Sequence, residues 1–116
     1  MRALQLRNDF RERKIDLLCP ELLIYEIANV LRYKEDLEER LILKAIISIY
    51  EMEILMLVNQ KIMESAVRLA LEYGITVYDS TCLSFAQQLG CHLITADKKL
   101  FQKIKDLPGI IYISEY

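Results

Sequence analysis

Histidine is almost missing from this chain of 116 residues, tryptophan is missing altogether, and glycine and proline occur three times and twice. Each shortage removes a class of chemistry. His92 stands alone inside the apolar run His92-Leu93-Ile94-Thr95, so no serine–histidine or cysteine–histidine relay is indicated. Gly74, Gly90 and Gly109 are isolated, which excludes a glycine-rich phosphate loop. Cys19, Cys82 and Cys91 are odd in number and show no C-x-x-C spacing, so neither a zinc site nor a disulfide framework is expected. They read as reduced, buried thiols of a cytoplasmic protein. No apolar run approaches the roughly 20 residues of a membrane span. The first residues, Met1-Arg2-Ala3-Leu4-Gln5-Leu6-Arg7, carry charge too early for a secretory leader.

Apolar residues make up 53% and charged residues 28%, a globular balance. Residues 1–116 are expected to form a single domain with its own core. The net charge of −2 argues against a surface basic all over and built to envelop nucleic acid. It leaves room for a local basic rim or for carboxylates that hold a cation.

Apolar spacing predicts helices over residues 1–13, 21–33, 37–50 and 60–73, a further helix after Asp79 and a short one after Asp97. Short apolar runs predict strands over residues 15–19, 53–58, 92–95 and 110–113. Alternating strands and helices with unbroken apolar strand cores give an α/β fold, with three layers and a mostly parallel sheet flanked by helices. Such sheets bind ligands beyond the carboxyl ends of their strands, where Asp97 stands.

Three acids draw attention. Asp79 and Asp97 each open a helical pattern, where an N-cap role would account for either alone. Glu26 lies in a helix otherwise apolar from Leu22 to Leu31, apart from Asn29, which projects from the same side. Converging carboxylates repel unless a cation sits among them, and oxygen-only ligands suit Mg²⁺ or Mn²⁺. The sequence therefore predicts Glu26, Asp79 and Asp97 as a metal site for phosphodiester chemistry.

The segment Pro20-Glu21-Leu22-Leu23-Ile24-Tyr25-Glu26-Ile27-Ala28-Asn29-Val30-Leu31 resembles the "P-x-L-x-x-E-x-x-N-x-L" helix of PIN-domain proteins. Tyr78-Asp79-Ser80 and Leu93-Ile94-Thr95-Ala96-Asp97-Lys98-Lys99-Leu100 resemble that family's "Y-D-A" and "L-x-T-x-D-x-x-L" segments. The nearest group is the VapC-like toxins, Mg²⁺- or Mn²⁺-dependent endoribonucleases restrained by a VapB-like antitoxin. The resemblance implies that Glu26, Asp79 and Asp97 are catalytic metal-site acids. Asn29, Ser80 and Thr95 would then be polar neighbours that orient them. It also implies RNA as substrate. The family usually opens with a strand ending in a first metal-binding aspartate, and no such strand precedes the first helix of this sequence. The expectation is thus a PIN-like domain lacking the first strand, truncated at its N-terminus and weakly active. The alternative is a catalytically silent PIN-like module for protein interaction or RNA binding.

Lys98 and Lys99 beside Asp97 are candidate phosphate contacts, or else a solvated helix face. The tyrosines read as core-edge residues, and Met52, Met56 and Met63 as core filling. Residues 41–56 are apolar over more than one helix face, because Leu43 and Ile47 fall off the stripe of Leu41, Ala45 and Ile49. This predicts a homodimer or an antitoxin contact.

Overall fold

The computed structural model describes residues 2–116 as six α-helices and four short strands, a helix-rich α/β fold in which every strand pairing is parallel. The chain falls into two compact units, residues 18–57 and the remainder.

The smaller unit runs β1 (Cys19–Pro20), α2 (Leu22–Arg32), α3 (Glu39–Glu51) and β2 (Leu55–Met56). The strands pair in parallel, Cys19 with Leu55 and Pro20 with Met56. A proline inside a strand is tolerated here for a geometric reason. The bonds across this ladder are donated by the N–H groups of Cys19 and Glu21, to Ile54 O and Met56 O, each at 2.8 Å. Alternate residues donate to the same neighbour, so the N–H that Pro20 lacks is not one the ladder uses. Ile24 of α2 and Ile54 are its buried apolar residues. No residue of α3 is fully buried, and Leu43, Ile47 and Tyr50 are exposed.

The larger unit holds α1 (Arg2–Arg11), α4 (Gln60–Tyr73), α5 (Val77–Leu89), β3 (Leu93–Thr95), α6 (Lys98–Ile104), β4 (Ile110–Tyr112) and a 3₁₀ turn, Ile113–Glu115. Asn59 caps α4 by accepting the Ile62 N–H at 2.9 Å. Helices α4 and α5 both end at glycines in the left-handed region, Gly74 at φ 64° and Gly90 at φ 68°, where a side chain would be strained. The two helices approach closely because the contact is lined with small residues: Ala66 and Ser84 have no exposed surface. The Ser84 hydroxyl crosses that contact and donates to Ile62 O at 3.2 Å, while Gln88 Nε2 donates to Ser84 Oγ at 3.3 Å. Strand β3 pairs with β4, Leu93 opposite Ile110 through Thr95 opposite Tyr112. Leu69, Leu83, Leu100 and Ile104 form one buried cluster, against which Tyr73, Ile75, Leu93, Leu107 and Ile110 pack. At the end of the chain the Tyr116 hydroxyl donates to the Asp9 carboxylate on α1.

Several expectations are corrected. The helix expected over 1–13 spans Arg2–Arg11, and Met1 lies outside the described residues. Residues 15–18 are not strand, and the strand expected over 53–58 shrinks to two residues, since a ladder ends where its neighbour ends. The three thiols are not all buried: Cys19 and Cys82 are half-buried and Cys91 is exposed. Tyr25, Tyr33 and Tyr50 are exposed rather than at the core edge, with the Arg32 guanidinium stacked 4.7 Å over the Tyr33 ring. Met52 and Met63 also face outward.

Ile104 is 1% exposed at the centre of the cluster. Truncation to alanine should cost about 2–5 kcal/mol, read as a lowered midpoint in urea unfolding followed by circular dichroism.

Candidate metal centre

Asp79 and Asp97 both belong to the larger unit and occupy the first turns of α5 and α6. The expectation that each caps its helix holds for Asp97 and is corrected for Asp79. Helix α5 starts two residues before Asp79, and its cap is Thr76, whose Oγ1 accepts the Asp79 N–H at 3.0 Å. A threonine with extended backbone (ψ 157°) offers its hydroxyl one turn earlier than the acid does, so Val77 and Tyr78 join the helix. Asp79 is left in the first turn, half-buried, where the helix dipole favours a negative charge by about 0.3–1 kcal/mol. That turn is further fixed because Val77 O accepts the Ser80 hydroxyl at 3.0 Å and the Thr81 hydroxyl at 2.7 Å. Ser80 is fully buried, and its proton is committed to the helix backbone rather than to a carboxylate.

Asp97 follows β3 directly. Its Oδ1 accepts the Leu100 N–H at 3.1 Å, and its own N–H donates to Thr95 Oγ1 at 3.0 Å. Thr95, 9% exposed, is therefore the polar neighbour that fixes the Asp97 backbone. Oδ2 makes no hydrogen bond or ion pair among the described residues. Lys98 and Lys99 follow in the first turn of α6, both exposed. Two cations there oppose the helix dipole, so water or an anion must solvate them.

Glu26 and Asn29 lie on α2 in the smaller unit, and both are exposed. The burial penalty that the sequence suggested for Glu26 does not arise, because that side of α2 is open. Glu26 stands in a shallow groove of about 230 Å³ lined by Leu23, Ile27, Val30 and Leu31 of the same helix.

The ion pairs among the described residues are Lys14–Glu12 and Arg40–Glu38, both on the surface. Among the described residues, none of Glu26, Asp79 and Asp97 forms an ion pair with a lysine or arginine. Their donor atoms are hard oxygens, the set that Mg²⁺ or Mn²⁺ takes. Within either unit, among the described residues, no three His, Cys, Asp or Glu side chains cluster to hold an ion. The larger unit thus offers two carboxylates, the number Mg²⁺ commonly uses beside water and substrate phosphate. Burial pushes the Cys19 thiol up, away from the thiolate form. No described helix is long and apolar enough to cross a membrane.

A family model described as PIN domain matches residues 2–107. Over 47 residues the chain is 36% identical to Ribonuclease VapC3 of Pyrobaculum aerophilum, which covers 40% of this chain and 36% of that protein. The chain is thus aligned to little more than a third of that relative's length. No solved structure matches it.

Asparagine caps a helix about as well as aspartate, whereas alanine does not. Asp97→Asn should leave the thermal midpoint nearly unchanged, and Asp97→Ala should cost about 1 kcal/mol. Calorimetry on both separates the structural role of the side chain from its charge.

Proposed function

This chain belongs to the PIN domain family, and from that premise we propose that it is a metal-dependent endoribonuclease of the VapC-like toxin type. The observation that carries this reading is the pair Asp79 and Asp97. Both are presented by first turns fixed through backbone hydrogen bonds, and neither is consumed by an ion pair. The likeness to a ribonuclease supports RNA as the substrate. A VapB-like antitoxin would restrain the activity, the chain would act as a homodimer, and the cytoplasm would be its compartment.

Asp79 and Asp97 would hold the cation, Mg²⁺ or Mn²⁺, with Glu26 as the third acid. A bound divalent ion supplies Lewis-acid polarisation of the phosphodiester and offsets its charge. The residues of the chain supply position. Thr95 holds the Asp97 backbone through the N–H, and Leu100 N–H holds Oδ1, leaving Oδ2 for the cation. Thr76, with Ser80 and Thr81, holds the turn that carries Asp79. Lys98 and Lys99 would bind the phosphate backbone, with Asn29 orienting Glu26.

A second reading has one observation in its favour. No three acids converge within either unit among the described residues, as in a silent module that binds RNA or protein without cleaving.

Titration with Mn²⁺ should raise the melting temperature by several degrees, because a ligand at 100 times its Kd adds about 2.7 kcal/mol. Asp79→Asn and Asp97→Asn should each reduce that rise and abolish Mn²⁺-dependent cleavage of a labelled RNA. RNA binding without cleavage at any Mn²⁺ concentration would establish the silent module instead.

A further inference from the structure

The basic side chains of this protein are unevenly placed. Residues 2–14 hold Arg2, Arg7, Arg11, Arg13 and Lys14 against two acids, Asp9 and Glu12, in a chain whose net charge is −2. Both acids are engaged away from the arginines. Asp9 accepts the Gln5 amide N–H at 2.9 Å and the Tyr116 hydroxyl, and Glu12 pairs with Lys14 at 3.0 Å. Arg7, Arg11 and Arg13 are exposed and form no ion pair among the described residues. Arg7 and Arg11 stand one turn apart on the outward side of α1, whereas Leu6 and Phe10 turn partly inward.

The end of α1 supplies a second, independent observation. The helix closes with crossed hydrogen bonds: Lys14 N–H donates to Asp9 O at 2.8 Å and Arg13 N–H to Phe10 O at 3.1 Å. This closure puts Arg13 in the left-handed region, at φ 59°. Glycine adopts that conformation without strain, and it fills the equivalent position after α4 and α5, at Gly74 and Gly90. An arginine there strains the backbone, and strain that persists points to a side chain kept for what it contacts. Attraction to the negative end of the helix dipole does not explain the choice. Arg11 or Lys14 would meet it without strain, and it does not reach Arg7, which stands before the last turn.

We propose that Arg7, Arg11 and Arg13 form a contact surface for the phosphate backbone of single-stranded RNA. This rests on the reading of RNA as the substrate and adds to it residues other than the three acids, Lys98 and Lys99. A guanidinium is always charged and offers a planar fork of donors that matches two phosphate oxygens. Arg7 and Arg11 lie about 6 Å apart along α1, at 1.5 Å per residue, close to the separation of neighbouring phosphates in an extended strand. Arg13 follows beyond the helix end. The outward neighbours are Leu4 and Asn8, and the one aromatic residue of α1, Phe10, turns partly inward. The surface thus has no platform on which bases stack, and it holds RNA without reading its sequence.

The test is fluorescence anisotropy of a labelled single-stranded RNA of mixed sequence with the whole chain, in EDTA so that no divalent ion contributes. For the wild type, the logarithm of the binding constant should fall linearly with the logarithm of salt concentration. Arg7→Gln, Arg11→Gln and Arg13→Gln should each make that line shallower by about 0.7 and weaken binding about fivefold at about 0.1 M salt. Arg13→Gly separates this role from a structural one. It relieves the left-handed backbone, so the thermal midpoint should not fall, yet RNA binding should weaken as much as in Arg13→Gln. Variants with wild-type affinity and slope would overturn the surface and leave the ribonuclease reading intact. So would a wild type that binds RNA with Mn²⁺ and not in EDTA. A wild type that neither binds nor cleaves RNA, with or without Mn²⁺, would overturn both. Variants that keep RNA binding but lose binding to phosphatidylglycerol vesicles would assign the arginines to a membrane surface and overturn the proposal.

Discussion

The structure depends most on one apolar cluster, Leu69 with Leu83, Leu100 and Ile104. Leu83 lies about one turn after Asp79, and Leu100 is the third residue of the turn that Asp97 caps. The same buried contact therefore seats both acid-bearing helices. Each carboxylate stands at the wet start of a helix whose next turn is locked in the core. A site on loops alone would lack this anchor.

Around the cluster the polar groups do local work. Ser80, Thr81, Ser84 and Thr95 are all buried, yet each hydroxyl has a hydrogen-bond partner. Three of them serve the backbone turns that carry the acids, and Ser84 joins α5 to α4. Buried hydroxyls cost stability when unpartnered, so their full engagement lets the first turns of α5 and α6 be polar without loosening them. The charged groups behave in the opposite way. Among the described residues the ion pairs are Lys14–Glu12 and Arg40–Glu38, both exposed, and neither involves Glu26, Asp79 or Asp97.

The smaller unit follows a different economy. Its few buried apolar residues, Ile24 and Ile54, contrast with a broad exposed apolar surface on α2 and α3. Leu43, Ile47 and Tyr50 of α3 are among the exposed residues.

The sequence by itself determined the order and kind of the elements, because helical periodicity in residues 60–73, the stops at Gly74 and Gly90, and the cap at Asp97 are local properties. It also marked the motifs of the PIN domain family and the surplus apolar surface of α3. Tertiary structure decided what local rules leave degenerate. A threonine and an aspartate three residues apart can both cap a helix, and only the folded backbone selected Thr76 and placed Asp79 inside the turn. An acid among apolar residues can be buried or wet, and only packing showed Glu26 on an open face. Strand lengths were overestimated for the same reason: an apolar run records a capacity to pair, and a ladder extends only as far as a neighbour runs beside it.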